Sequence, residues 1–408
     1  MIAGESKVLI MLPAVPHVRI PGDYLIGAAI SAYQVEGNNE NADWWRYEKA
    51  GLLPASGEAC RFWEMYRTDL DIMARLGLKA LRLSLEWSRV EPRLGWFDDA
   101  AMDVYRDMMK EMRQRGITPV VTLHHFTNPI WFHDAGAWER GENLKYFLEY
   151  VDYVSKNLDV RYWLTINEVN LYPILAYLLG KFPPFKPDPA KMWTVLSNLL
   201  KAHGKAYDKL KRETNMVGIV INVMPVHPMN RLSPLDYIAS TLVNKLYNLT
   251  PLNALKRGRL PDWLGGEAIG SLDYLGLNYY SRPRVRFSRR ALIEFEEGRD
   301  NHMGFVVDPR GLGEAIELAR RVGRPIMITE NGVATDDDGF RIRFIREHLR
   351  EAVRGGTIGY MYWSLLDNYE WERGYSARFG LIECKGSHRK IRGSAEYLGR
   401  VSRSMELD

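Results

Sequence analysis

The chain has 408 residues, enough for one large barrel with long loops or for two average domains. Hydrophobic residues make up 46% and charged residues 26%, proportions typical of an ordinary soluble globular protein. The 55 basic and 51 acidic residues leave a net charge of +4, which gives no support to a nucleic-acid partner.

The N-terminal stretch carries an apolar run at residues 8–12 that soon meets Pro13 and Pro16. The run is too short to span a bilayer, and no small-residue cleavage site follows it. We therefore expect residues 1–20 to be a short lead-in, with neither a signal peptide nor a membrane span. Cys60 and Cys384 are too few for a disulfide framework, which indicates free thiols in a reducing, cytoplasmic compartment.

Eight apolar strand candidates follow in chain order, at residues 24–30, 80–87, 119–123, 161–168, 217–222, 274–280, 325–330 and 358–364. Helical segments separate most of them, at residues 62–76, 98–115, 143–157, 190–213 and 346–356. This alternation of strands and helices predicts an α/β fold, a parallel (β/α)8 TIM barrel. No repeat, low-complexity tract or linker interrupts the pattern, so residues 1–408 are expected to form a single domain.

Two glutamates end the fourth and seventh strand candidates. Glu168 and Glu330 are far apart in sequence, but a barrel brings the carboxyl ends of its strands onto one rim, where active sites lie. Two carboxylates across a cleft are the minimum equipment for glycoside hydrolysis, in which one is protonated and the other ionised. For each glutamate taken alone, a solvated side chain at a strand end is the alternative.

An arginine occupies the centre of the second strand candidate. A buried charge needs a partner of opposite charge, so Arg82 is expected to lie beside Glu330 and to keep that carboxylate ionised. Tyr280, also at a strand end, is expected to donate a second hydrogen bond to Glu330.

Seven sequence motifs resemble those of glycoside hydrolase family 1, whose members are retaining β-glycosidases on the (β/α)8 barrel. They cover nearly the whole chain in the family's order, at residues 31–37, 81–89, 122–126, 165–168, 276–280, 328–332 and 363–371. The resemblance implies that Glu330 is the nucleophile and Glu168 the acid/base. It places Asn167 against the sugar 2-hydroxyl and Trp363 beneath the sugar ring. The positions that hold the other hydroxyls are Gln34, His125, Glu370 and Trp371.

Other interpretations apply to four of these positions. Gln34 is also compatible with a turn, and Trp363 and Trp371 with core aromatics. His125 stands beside His124 and near His133, which suggests a metal site, but no carboxylate or cysteine spacing accompanies them. The resemblance implies that neither a metal nor an organic cofactor is needed.

The resemblance also narrows the substrate to a small-molecule glycoside. Glu370 would repel a sugar phosphate, and the branch that acts on 6-phosphorylated sugars generally has serine there. The thioglucoside-cleaving branch lacks the acid/base glutamate, which is present here as Glu168. We therefore expect exo-acting hydrolysis of neutral β-D-glucosides and β-D-galactosides. A catalytically silent sugar-binding barrel and a transglycosidase are the rival hypotheses, and a homo-oligomer is compatible with the sequence.

Several positions depart from the family pattern. Val169 replaces a proline after the acid/base, which is expected to loosen that loop, and Phe126 replaces a tryptophan on the aglycone side. The region between residues 280 and 304 is short, and the helix at 346–356 is predicted to be trimmed. We therefore expect a more open cleft or a flatter apolar rim than in longer members, and the short form resembles an archaeal branch of the family. A cleft of this kind leads to the hypothesis that the enzyme favours substrates with long alkyl or lipid aglycones. An excess of arginine over lysine accords with a heat-adapted or a GC-rich source.

Overall fold

Eight parallel strands close into a barrel in the computed structural model, which describes residues 18–289 and 292–408. In chain order they are β1 (Leu25–Ala29), β2 (Ala80–Ser84), β3 (Thr118–His124), β4 (Tyr162–Ile166), β5 (Met216–Asn222), β6 (Tyr274–Asn278), β7 (Ile326–Asn331) and β8 (Gly359–Trp363). Their order around the barrel follows the chain, and β8 pairs with β1. The predicted TIM barrel is confirmed. The apolar run at 8–12 lies outside the described residues.

Long helices cover the outside of the barrel. They are α1 (Phe62–Leu76), α2 (Asp99–Gln114), α3 (Leu144–Asn157), α4 (Pro189–Leu210), α5 (Pro234–Val243), α6 (Thr250–Arg257), α7 (Pro309–Arg320), α8 (Asp338–Arg354) and α9 (Gly393–Ser404). In α2, the Asp98 carboxylate accepts the backbone N–H groups of the first turn, and buried methionines recur along one side of the helix. Helix α2 thus presents an apolar stripe to the strands and a charged face to solvent.

The prediction of a trimmed helix at residues 346–356 is wrong. Helix α8 has 17 residues and begins after Asp337, whose carboxylate accepts the backbone N–H of Phe340. Its first turns carry several arginines, which hid the apolar periodicity in the sequence. One of them, Arg341, is fully buried and donates hydrogen bonds to Asp338 and to the carbonyl of Thr335. A charged residue in this helix therefore does not mark the solvent-exposed face.

Smaller elements extend the strand–helix connections. Short helices are Ala32–Glu36, Asp43–Lys49, Trp87–Val90, Ile130–Asp134 and Leu171–Pro173, with π-helical turns at Ile174–Leu178 and Asn244–Leu249 and 3-10 turns at Ala137–Glu139, Gly141–Asn143, Asp262–Leu264 and Trp371–Arg373. Short strands outside the barrel are Val18–Arg19, His227–Pro228, Arg284–Ser288, Leu292–Phe295, Ile382–Lys385, His388–Ile391 and Glu406–Leu407. The segment after β6 is therefore a folded hairpin beside α5.

Alternate residues of the strands point into the barrel and fill it. This inner layer contains Ala29, Ala80, Val120, Leu164, Val220, Tyr274, Met327 and Met361. Arg82 pairs across the ladder with Ala29 and Val120, in the middle of β2. Because its side chain is fully buried, Arg82 must find its partners inside the barrel.

Cys60 and Cys384 are both unbridged, as predicted. The Cys60 thiol is buried and donates to the carbonyl of Asp367 at 2.7 Å. Among the described helices, none has both the length and the apolar character that crossing a bilayer requires.

Candidate active site

Two buried carboxylates lie at the carboxyl-terminal end of the barrel. Glu330 belongs to β7, and Glu168 follows β4, which ends at Ile166. Each residue is 4% exposed, and both line one cleft of about 650 Å³. After Glu330 the chain can approach β8 closely only through Gly332, because a Cβ atom there would lie 1.8 Å from the carbonyl oxygen of Trp363. The fold thus brings together the two glutamates that the sequence placed on separate strands.

Glu330 accepts hydrogen bonds on both carboxylate oxygens. Arg82 Nη1 donates to Oε1, and Tyr280 Oη donates to Oε2 at 2.7 Å, so both predicted contacts are present. Burial, followed by the charge of Glu330, raises the pKa of Tyr280 well above its ordinary value, and the phenol therefore keeps the proton that it donates. Glu330 thus accepts one charge-assisted hydrogen bond from a guanidinium and one hydrogen bond from a phenol.

Arg82 is itself held by neutral partners. Its Nη2 donates to Asn167 Oδ1 at 2.6 Å, and its Nε donates to Thr122 Oγ1 at 3.1 Å. These bonds leave the guanidinium no freedom to turn away from Glu330. The ion pair is fully enclosed, because the side chains of Arg82 and Glu330 are only 1% and 5% exposed.

Glu168 has a different environment, with neutral amides in place of a cation. Asn222 Nδ2 and Asn278 Nδ2 donate to its Oε1 at 2.8 and 3.0 Å. Burial, followed by the charge of Glu330, raises the pKa of Glu168 to about 7, although the two amides oppose the shift. Glu168 can therefore hold a proton near neutral pH, whereas Glu330 is ion-paired with Arg82. Its backbone is left-handed, with φ of 43°, a conformation uncommon outside glycine.

The two amides that contact Glu168 had no predicted role. Tyr247 Oη donates to Asn222 Oδ1 at 2.7 Å, and Thr329 Oγ1 donates to Asn278 Oδ1 at 2.6 Å. Each contact turns the amide NH2 group toward Glu168. The available signal was position, since Asn222 and Asn278 are the last residues of β5 and β6.

Asn167 and His125 connect the ion pair to the cleft. Asn167 Oδ1 accepts from Arg82 and from Asn278, and its Nδ2 lies 3.3 Å from His125 Nε2. His125 lines the cleft that contains the two glutamates. Burial, together with the charge of Arg82, lowers the pKa of His125 well below its ordinary value, so the imidazole is neutral. Its buried Nδ1 has no hydrogen-bond partner.

Gln34 and Glu370 meet at the far side of the cleft. Gln34 Nε2 lies 3.3 Å from Glu370 Oε2 and donates to the carbonyl of Tyr369 at 2.8 Å. Gln34 belongs to the short helix Ala32–Glu36, so the turn interpretation is wrong. Burial, followed by the charges of Glu330 and Glu372, raises the pKa of Glu370 to about 8.

The predicted aromatic positions form one stacked group. The ring of His125 lies parallel to Trp363 at 6.0 Å and to Trp371 at 6.2 Å. Trp371 also packs against the buried Trp44, with ring centroids 4.6 Å apart. Trp363 and Trp371 are therefore buried with the core and also line the cleft, so the core position and the cleft position considered from the sequence are both present.

Val169, the residue after Glu168, does not loosen its loop. Val169 is fully buried, and its N–H donates to the carbonyl of Val220 at 3.1 Å. A proline there would lack this donor, so the hydrogen bond anchors the loop in place of a fixed φ. Phe126 is also buried, and its ring packs edge-on to Trp371 at 5.4 Å.

The three clustered histidines have separate neighbours. His124 Nε2 bonds Asn128 at 3.1 Å, and His133 lies near Asp43 and Tyr47. Within residues 18–289 and 292–408, no group of three or more histidine, cysteine, aspartate or glutamate side chains is arranged to hold a metal ion. The metal interpretation of His125 therefore has no structural support.

The outer part of the cleft is strongly apolar. Its lining residues come from the segment after Glu168, from α5 with the following π-helical turn, and from the hairpin; they include Leu171, Ile174, Leu175, Leu178, Leu179, Leu242, Val243, Leu246, Ile293 and Phe295. The apolar rim expected from the sequence is thus present. Its residues had no predicted role, since apolar side chains at helical spacing normally indicate core.

The barrel and its two buried glutamates, one paired with a guanidinium and one with a raised pKa, define the class of protein, a glycoside hydrolase. The model of Glycosyl hydrolase family 1 matches residues 17–406, and the chain belongs to this family of retaining β-glycosidases. The resemblance seen in the sequence motifs is confirmed.

Relatives extend over almost the whole chain. Beta-glucosidase A of Acetivibrio thermocellus is 30% identical, over 94% of this chain and 98% of its own length. A 6-phospho-beta-galactosidase of Staphylococcus haemolyticus is 28% identical, over 95% and 99%. Among solved structures, the beta-glycosidase from Pyrococcus horikoshii superimposes with a TM-score of 0.90 at 38% identity, covering 96% of each chain.

Proposed function

We propose that this enzyme releases single neutral sugars from β-D-glucosides and β-D-galactosides, with residues 1–408 acting as one catalytic domain. The asymmetry of the two glutamates carries the proposal. Glu330 faces a guanidinium, whereas Glu168 faces two amides and has its pKa raised to about 7. A retaining hydrolase needs this division between an ionised nucleophile and a protonated acid.

In the first step, Glu330 attacks C1 of the sugar while Glu168 gives its proton to the leaving oxygen. The glycosidic C–O bond breaks, and a covalent glycosyl-enzyme with Glu330 remains. In the second step, Glu168 takes a proton from water as the water oxygen attacks C1, which releases the sugar and restores both groups. We expect the carboxyl groups to lie about 5–5.5 Å apart, the separation of retaining enzymes.

The sugar is held by the polar groups of the inner cleft. His125 offers its unpartnered Nδ1 to a hydroxyl, and the pair Gln34 and Glu370 offers a second set of donors and acceptors. Trp371 also contacts the hydroxyls of the sugar, and Trp363 packs against the apolar face of the sugar ring. Asn167, held by Arg82, takes the 2-hydroxyl, where a contact that strengthens in the transition state raises the rate.

Neutral sugars fit the charges of the cleft better than phosphorylated sugars do. The charges of Glu330 and Glu372 already raise the pKa of Glu370, and a phosphate dianion would add to that repulsion. Phosphate sites use arginine or lysine donors, whereas the position beside Gln34 is occupied by a carboxyl group. The likeness to a 6-phospho-beta-galactosidase therefore extends to the barrel and not to the substrate.

A substrate panel tests this proposal. We expect kcat/KM for nitrophenyl β-D-glucoside and β-D-galactoside to exceed that for the 6-phosphorylated forms by about 100-fold or more, since a phosphate dianion would lie near the charges of Glu330 and Glu372 that already raise the pKa of Glu370. The variant Glu370→Ser should narrow this difference, and Glu314→Ser, which changes a carboxylate outside the cleft, should leave it unchanged. Higher efficiency of the wild type on the phosphorylated sugars would refute the proposal.

A long alkyl aglycone should increase the efficiency of hydrolysis. The apolar outer cleft can bury part of an octyl chain, and about four buried methylenes are worth about 3 kcal/mol, or roughly 100-fold in kcat/KM. We expect octyl glucoside to exceed methyl glucoside by a factor of this order. Leu178→Asn with Leu246→Asn should lower the octyl value alone, whereas Leu94→Asn, far from the cleft, should lower neither. Equal efficiency on the two glucosides counts against the apolar-aglycone hypothesis.

A further inference from the structure

The exposed apolar residues of the protein are concentrated on one side of the cleft mouth. Among the described residues, 17 large hydrophobic side chains are exposed, and 11 of them lie in the segments 178–179, 232–246 and 287–295. These 11, which we call the apolar lip, are Leu178, Leu179, Leu232, Leu235, Tyr237, Ile238, Leu242, Leu246, Phe287, Leu292 and Phe295. Exposed apolar residues scattered singly are ordinary, but a contiguous patch indicates a binding surface.

Helix α5 shows that the exposure is organised. Leu235, Ile238 and Leu242 follow each other at helical spacing on one face and are 52%, 63% and 46% exposed. Beside this exposed row, Ala239 is buried and packs in one apolar cluster with Val285 of the hairpin. The helix therefore already satisfies the core with one face and presents a second apolar face to solvent.

The apolar lip continues into the active-site cleft. Leu178, Leu179, Leu242 and Leu246 are exposed and also line the cleft that contains the two glutamates. An apolar surface outside the protein and an apolar wall inside the cleft thus share the same side chains. A molecule with a polar sugar and an apolar tail could pass from one to the other without exposing its tail to water.

The exposed charges that accompany the lip are basic. Lys181, Arg231 and Lys245 are exposed, and none of them has an ion-pair partner within the parts of the chain that the structure describes. The acidic residue within 230–246, Asp236, is buried and accepts the backbone N–H groups of Asn230 and Phe287. Arg284 and Arg286 of the hairpin are paired with Glu296 and Glu294. The lip therefore combines apolar side chains with unbalanced positive charge.

We propose that the apolar lip docks this enzyme on an anionic lipid surface, with the cleft mouth facing the lipid. Apolar side chains flanked by lysine and arginine are the combination that inserts at the boundary of headgroups and acyl chains. A second copy of the chain is a poorer occupant, because a two-fold interface would place Lys181, Arg231 and Lys245 of both copies against each other. The inference goes beyond the proposed hydrolysis, since docking requires no turnover.

Vesicle sedimentation with the full chain tests the proposal. We expect the protein to sediment with vesicles of phosphatidylcholine and phosphatidylglycerol at least tenfold more tightly than with phosphatidylcholine alone. The difference should shrink in 0.5 M NaCl, because salt screens the attraction between exposed lysines or arginines and anionic headgroups. Equal sedimentation with and without vesicles would overturn the proposal, as would equal binding to the two lipid compositions.

Matched variants separate the apolar and the charged contributions. Leu235→Ser with Ile238→Ser, neither of which lines the cleft, should weaken binding at least tenfold and leave hydrolysis of a water-soluble nitrophenyl glucoside unchanged. Leu94→Ser with Ile391→Ser changes two exposed apolar residues elsewhere and should leave binding intact. Arg231→Glu with Lys245→Glu should abolish the preference for anionic vesicles, whereas Arg75→Glu with Lys110→Glu should preserve it.

Sedimentation velocity of the same variants tests whether a second copy of the chain, and not a lipid surface, covers the apolar lip. If the wild type forms a dimer that Leu235→Ser with Ile238→Ser dissociates, and no vesicle binding is seen, the lip is an interface between two copies and the proposal is wrong. Because the assay with a soluble glucoside is independent of vesicle binding, failure of docking and failure of the proposed hydrolysis are separate results.

Discussion

Replacing Glu330 by glycine or alanine is expected to lower hydrolysis of an activated β-glucoside by roughly 10⁴- to 10⁶-fold, the loss typical of a removed nucleophile. Without its carboxylate no glycosyl-enzyme forms. Added azide should restore consumption of the substrate, because the anion can occupy the space beside Arg82 that the carboxylate leaves. Azide then attacks C1 in a single inversion, and nuclear magnetic resonance should identify the product as the α-glycosyl azide.

The fold of the Glu330 variants should survive, because Arg82 keeps its hydrogen bonds to Asn167 and Thr122. Loss of one partner from a buried ion pair is nevertheless expected to cost about 3–5 kcal/mol of the free energy of unfolding, measurable by denaturant titration. Glu314→Ala, which removes a half-buried carboxylate outside the cleft, is the matched control and should show neither the rate loss nor rescue by azide. Unchanged hydrolysis by the Glu330 variants would exclude this residue as the nucleophile.

Replacing Glu168 by glutamine is expected to slow the hydrolysis of substrates whose leaving group needs a proton much more than that of substrates whose leaving group does not. Methyl glucoside needs a proton on its leaving oxygen, so its kcat/KM should fall by about 10²- to 10⁴-fold, the range for general acid catalysis. Dinitrophenyl glucoside needs no proton, so its first step should persist and the glycosyl-enzyme should accumulate as a burst. Azide should then attack that intermediate and give the β-glycosyl azide, the opposite anomer from the Glu330 variant.

The pH profile gives an independent readout of the same residue. Glu168 must be protonated in the first step, and its pKa is raised to about 7, so kcat/KM for methyl glucoside should decline as pH rises through about 7. This limb should disappear in Glu168→Gln. Asn222→Leu removes a donor that stabilises the charged form, so it should move the limb to higher pH. An unaltered limb in Glu168→Gln would show that another group is the acid.

The two glutamates illustrate how one barrel rim produces two kinds of carboxyl group. Both residues are 4% exposed, so burial alone cannot distinguish them. The difference comes from the other strands of the barrel, because β2 supplies a guanidinium to Glu330 whereas β5 and β6 supply amides to Glu168. A charged partner compensates desolvation of the carboxylate, and neutral amides do so only in part.

The sequence predicted the bounds of a helix well where its apolar residues followed one regular spacing. Helix α1 has the predicted bounds, because its apolar residues recur every three or four positions and Gly77 ends it in a left-handed conformation. The strand bounds differ by a few residues, since a strand ends where its ladder ends and no residue type marks that point. The prediction failed for α8, where a buried arginine interrupted the apolar period.

The chemistry of the ion pair was also accessible from sequence. A charged residue at the centre of an apolar strand requires an opposite charge, and Glu330 was the acidic residue at a strand end beside it. The amides of Asn222 and Asn278 were not predicted, because many strands end in polar residues. Which of them converge depends on the stagger of strands around the closed barrel.

The sequence by itself determined the barrel, the family and the position of Glu168 and Glu330 at the ends of strands, because strand period, buried charge and motif order are local properties of the chain. Only the tertiary structure decided the protonation of Glu168, the anchoring of Val169 and the apolar lip. Each of these depends on which atoms surround a side chain, and residues distant in sequence supply those atoms. The exposed face of α5 shows this most clearly, since the same apolar spacing would have been core if another element had covered it.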